Sequence, residues 1–122
     1  MRLHFQVRGD GQPLVILHGL LGSLDNWQSM NKRLAALRRV YTLDLRNHGH
    51  SPHAAVMNYA VMAQDVREFC EAQSLHAPAV LGHSMGGKIA MALAARHPDL
   101  LEKLLVVDIA PKLYPPAHRP LL

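Results

Sequence analysis

Gly82-His83-Ser84-Met85-Gly86, set between the apolar run Ala77 to Leu81 and the helix-forming stretch Lys88 to Arg96, constrains this chain more than any other feature. A serine with glycine two residues away on each side, where a strand passes into a helix, fits a very sharp turn. Such a turn holds the serine in strained backbone and presents its Oγ at the top of a sheet. Side chains at positions 82 and 86 would collide across the turn, and glycine has none. A helix starting at Met85 aims its first N–H groups toward the serine, a place that favours developing negative charge.

The same residues admit a rival. Gly82 to Lys88 fits G-x-x-x-x-G-K, the first seven positions of a phosphate-binding loop, and Leu104-Leu105-Val106-Val107-Asp108 fits an apolar strand ending in a magnesium-binding aspartate. The eighth position decides against it. Such a loop needs a Ser or Thr hydroxyl there, and Ile89 offers no oxygen. Nucleic acid is also a poor partner. The net charge of +4 is not concentrated: Lys32, Arg33, Arg38 and Arg39 cluster without interleaved aromatic residues, as on a solvated helix face.

Extended and helical patterns alternate along the chain. Leu3 to Val7, Leu14 to Leu17, Val40 to Leu45, Pro78 to His83 and Lys103 to Ile109 read as strands. Trp27, Met30, Leu34 and Leu37 repeat at helical spacing, which predicts an amphipathic helix over Asp25 to Arg38. Asn58 is placed to cap a second helix, in which Tyr59, Met62, Val66, Phe69 and Cys70 share a face, and Met85 to His97 forms a third. Such alternation implies an α/β chain with a parallel sheet and helices on both faces, and ligands then bind at the carboxyl ends of the strands.

A second motif falls at one of those ends. Leu14 to Leu17 breaks into His18-Gly19-Leu20-Leu21-Gly22-Ser23. If Ser84 attacks a carbonyl, the tetrahedral oxyanion needs two backbone donors. One comes from the residue after the nucleophile, Met85, and one from a loop after an earlier strand, here the N–H of Leu20.

Four motifs occur in order: His18 to Ser23, Asp44-Leu45-Arg46-Asn47-His48-Gly49-His50-Ser51-Pro52, Gly82 to Gly87, and Val106-Val107-Asp108-Ile109-Ala110-Pro111. In this the chain resembles the N-terminal part of an α/β-hydrolase, and more narrowly the YbfF-like group of small bacterial esterases. The resemblance implies an α/β-hydrolase core over residues 1–110, without lid and last strands, and a proline-rich start of a lid or connector over 111–122. It implies hydrolysis of a small-molecule acyl ester through an acyl-enzyme, with no cofactor. A thioesterase, a C–C hydrolase and a non-catalytic binding protein or fragment derived from the fold are the alternatives.

Serine needs a base, itself oriented by an acid, and in this superfamily the order is Ser, then Asp or Glu, then His. Asp108 ends the next strand, and the resemblance favours it as the acid; in many members the acid follows a later strand. The base is missing. Of nine histidines only His118 follows Asp108, and it lies in a proline-rich stretch. His83 is expected to pack away from Ser84, and His18 to brace its turn. His48, His50 and His53 lack the spacing of a metal site. In the third motif Asp44 and Arg46 are expected to pair, Gly49 to take a positive φ, and Ser51, like Ser23, to serve its loop.

These expectations make the chain a piece of a longer protein, inactive and poorly folded alone, with the strand Lys103 to Ile109 open to pairing. No apolar run approaches the roughly 20 residues of a membrane-spanning helix, so no membrane partner is expected. A single cysteine, Cys70, suits a reducing cytoplasm, and its helical, apolar neighbours predict burial.

Overall fold

The computed structural model describes residues 1–19 and 32–107. The strands are β1 (Phe5–Arg8), β2 (Pro13–Leu17), β3 (Arg39–Leu43), β4 (Ala79–His83) and β5 (Lys103–Val107). They form one sheet in the order β1-β3-β2-β4-β5. β3, β2, β4 and β5 run parallel, with Val15 opposite both Tyr41 and Val80. β1 is the exception: it lies antiparallel to β3, with Phe5 opposite Leu43. The turn after β1 holds no helix to carry the chain back across the sheet, so β1 and β2 point in opposite directions.

β2 is central, and Leu14 to Leu17 are all buried. Its side chains alternate between two cores. Val15 and Leu17 face helices α1 (Tyr59–Ala72) and α2 (Met85–Arg96), among Leu43, Met62, Val66, Phe69, Ile89 and Leu93. Leu14 and Ile16 face the other way, with Val40 and Ala79, against Leu34, Ala35 and Leu81. Helical and turn residues thus cover both faces, as the buried strands require.

α1 starts where its sequence predicts. The Asn58 side chain accepts the Val61 N–H at 2.9 Å, and Met62, Val66, Phe69 and Cys70 form the buried stripe, while Tyr59, expected on the same face, is exposed. The helix expected over Asp25 to Arg38 is described only from residue 32, is helical to 34, and then tightens through Leu37 N–H to Leu34 O at 2.9 Å. Leu37, expected on its apolar face, is instead 81% exposed. The chain must turn here to enter β3, and the Ala35 and Arg38 carbonyls lie where a Cβ on Gly9 would sit.

β5 forms one edge of the sheet among the described residues, opposite β1, and it exposes Leu104, Leu105 and Val106. Among the described residues no helix is long and apolar enough to cross a membrane.

Cys70 is fully buried on α1, as its neighbours predict, and burial, with a smaller effect of Glu71, pushes its thiol up to about 12. The thiol should therefore resist disulfide reagents at pH 8 in the native protein and react at once in denaturant. The folded state holds this proton more tightly than the unfolded chain. Stability is expected to fall as pH rises from the ordinary thiol range, roughly 8.5, through the folded value. Unfolding free energies measured from pH 7.5 to 10.5, compared with those of Cys70→Ala, read that slope.

Candidate active site

β4 ends at His83, and α2 begins at Met85 with no loop between them. Ser84 makes the whole turn. Its φ of 55° and ψ of −112° lie outside the regions comfortable for a residue with a side chain, a cost of about 1–3 kcal/mol. A serine before a helix ordinarily caps it through its hydroxyl. In this conformation Ser84 makes no capping bond, and it is exposed.

The flanking glycines are required by close approach, across the turn and against the neighbouring strand. A Cβ on Gly82 would meet the Gly86 carbonyl and lie 2.6 Å from the Gly87 Cα, as the spacing predicts. A Cβ on Gly86 would strike the Leu17 carbonyl first and lie 2.7 Å from that of His18. The second glycine lets α2 press against the end of β2, a contact across the sheet that local spacing does not reveal.

That contact brings the loop after β2 to the serine. A Cβ on Gly19 would stand 3.4 Å from the Ser84 Cβ and 3.2 Å from Nδ1 of His83. His18 fixes the loop. Its Nε2 accepts the Leu45 N–H at 3.0 Å, so Nδ1 carries the hydrogen and donates to the Gly19 carbonyl at 2.7 Å. Burial is the main cause that pushes His18 below its ordinary pKa, assisted by His48 and opposed by the Gly19 hydrogen bond and Asp44. With both nitrogens engaged, His18 braces the turn, as expected. Leu20, the expected second oxyanion donor, and Asp108, the expected acid, lie outside the described residues, as do Ser23 and His118.

The loop after β3 departs from expectation. Arg46 does not pair with Asp44. Its Nε and Nη2 donate to the two oxygens of Asp65 on α1, at 2.7 and 2.9 Å, and Nη1 donates to the Val56 carbonyl at 2.8 Å. The Asp65 hydrogen bonds raise the Arg46 pKa further above its ordinary value. Asp44 turns inward and accepts the His50 N–H at 3.0 Å, its carboxylate filling the space a Cβ on Gly49 would need. Gly49 has the expected positive φ, 52°. Ser51 serves its loop, accepting the His4 N–H at 2.8 Å and donating to the Asp44 carbonyl.

Beside Ser84 and Met85 opens a cleft of about 530 Å³, lined also by Met57, Asn58, Tyr59 and Lys88. The Lys88 ammonium lies 5.9 Å from the centre of the Tyr59 ring. Spacing along the chain marks neither these walls nor a partner for Arg46. One signal for Asp65 was available: a carboxylate on the helix face of Met62, Val66 and Phe69 needs a cation.

Comparison with known proteins agrees with this fold. The family described as alpha/beta hydrolase fold matches residues 12–120. The sn-1-specific diacylglycerol lipase ABHD11 of Danio rerio is 46% identical over 111 residues, which span 89% of this chain and 35% of that protein. Esterase YbfF of Escherichia coli strain K12 is 44% identical over 106 residues, 87% of this chain and 42% of that one. A solved structure described as a marine microorganism esterase superposes with a TM-score of 0.86 at 51% identity, covering 94% of this chain and 44% of that one. The chain thus spans less than half the length of these relatives.

Replacing His18 by Ala leaves the buried Leu45 N–H without its acceptor, and urea unfolding at pH 8 should show a loss of about 1–3 kcal/mol. Because the folded pKa is lowered, the stability given by neutral His18 is complete above about 6.5 and is lost as pH falls through the folded value. The gap between native and variant should therefore narrow between pH 7 and pH 5.

Proposed function

This chain belongs to the α/β-hydrolase family, and on that premise we propose that it carries the nucleophile of a serine esterase acting on small-molecule acyl esters. The observation that carries the reading is Ser84: an exposed hydroxyl in strained backbone at the N-terminus of a 12-residue helix, released from capping and facing a cleft.

Ser84 Oγ attacks the ester carbonyl while a histidine takes its proton. The C–O bond to the alcohol then breaks, the imidazolium returns the proton to the leaving alcohol, and an acyl-enzyme remains for water to hydrolyse. The oxyanion is held by the backbone N–H groups of Met85 and Leu20. Support for Met85 comes from its place in the first turn of α2; support for Leu20 comes from Gly19, its neighbour in the chain, which stands beside Ser84. Met57, Tyr59 and Met85 give the cleft an apolar lining suited to an acyl chain.

Asp108 is assigned as the acid that orients the base. Support for it is its place in the sequence, directly after Val107, whose partner across the sheet is His83. The base itself is assigned to a histidine after Asp108 in the complete protein. His18 has both ring nitrogens committed, and the His83 ring lies against Gly19. A single, free, buried cysteine suits a reducing compartment, and we assign the protein to the cytoplasm.

In the full-length protein a fluorophosphonate probe should label Ser84, and Ser84→Ala should abolish both labelling and turnover of p-nitrophenyl esters. Labelling that maps to Ser51 or Ser23 would sink the assignment. Asp108→Asn should lower kcat by orders of magnitude, about 10⁴ if it matches the orienting aspartate of a serine protease. A loss under about tenfold would move the acid's role to a later carboxylate.

A further inference from the structure

The wall of the cleft opposite α2 is made by Met57, Asn58 and Tyr59, the last residues before α1 and its first. Packing does not fix this segment: Val56, Met57 and Tyr59 are 55%, 39% and 44% exposed. Hydrogen bonds hold it instead. At its far end Asn58 caps α1, and at its near end the Val56 carbonyl accepts from Arg46 Nη1. The other two donors of the same guanidinium grip Asp65, two turns into α1. One planar group therefore spans the start of the wall and the helix that follows it.

We propose that Arg46 and Asp65 are a positioning pair for this wall, setting its distance from Ser84 and so the fit of the substrate's acyl chain; this rests on the esterase reading. The side chains are 12% and 4% exposed. A part-buried ion pair is a weak source of stability, because desolvation offsets its attraction, but its directional bonds place groups sharply. Arginine is needed for the fork. A lysine at 46 supplies the charge that Asp65 requires, yet its single ammonium cannot hold both that carboxylate and the Val56 carbonyl.

The test uses the full-length protein with Arg46→Lys, Asp65→Asn and, as control, Ser84→Ala. Two readouts are taken: amide hydrogen exchange across residues 57–61 and along β4, and kcat and KM for p-nitrophenyl acetate and octanoate. In both positioning variants exchange over 57–61 should quicken about tenfold while β4 stays protected. KM for the octanoate ester should rise about fivefold or more, with kcat for the acetate ester changed less than about twofold. Unchanged exchange, or an equal fall in kcat for both esters at constant KM, overturns the proposal. So does failure of both variants to fold, which would make the pair a folding element alone. If the parent protein lacks turnover, or Ser84→Ala retains it, the esterase reading fails instead, and the exchange measurement decides on the clamp by itself.

Discussion

The first turn of α2 approaches the ends of β2 and β4 so closely that only backbone fits between them. The Gly86 carbonyl lies where a Cβ on Gly82 would sit, and the carbonyls of Leu17 and His18 lie where a Cβ on Gly86 would sit. A methyl group at either position would push the helix off the sheet. Because the approach is backbone on backbone, the helix axis and two strand ends become one rigid unit, and Ser84 has no room for a relaxed conformation. Its strain is small beside the burial that holds the unit together, with Met85, Ile89, Ala90 and Leu93 packed into the core on the same helix.

Around this junction the strand-end loops are held by polar groups sealed from water. His18 joins the loop after β2 to that after β3 through Leu45, and it does so as a neutral ring with a defined tautomer. Ser51 relays between the His4 N–H and the Asp44 carbonyl, while the Asp44 side chain occupies the space that glycine leaves at position 49. Each buried donor in this set meets an acceptor, which is the condition for loops to lie this deep. The result is that Gly19 stands beside Ser84.

The cleft wall obeys a different rule. Its residues are exposed, so burial cannot place them, and its geometry depends on directional bonds from Arg46 and Asn58. The floor of the cleft is thus set by packing and its wall by hydrogen bonds.

The sequence alone determined what local sterics and periodicity determine. The strand-to-helix turn at Ser84, the cap at Asn58, the buried stripe of α1 and the positive φ of Gly49 all follow from the residues at those positions. What only the tertiary structure decided depends on groups distant in the chain. It made β1 antiparallel, ended a helix before Leu37, moved Arg46 from Asp44 to Asp65, and pressed Gly86 against the end of β2. Spacing along a chain fixes which backbone conformations are open to it. A charge or a close contact is assigned only when the folded chain brings its partner within a few ångströms, and Asp65 reaches Arg46 from across 19 positions.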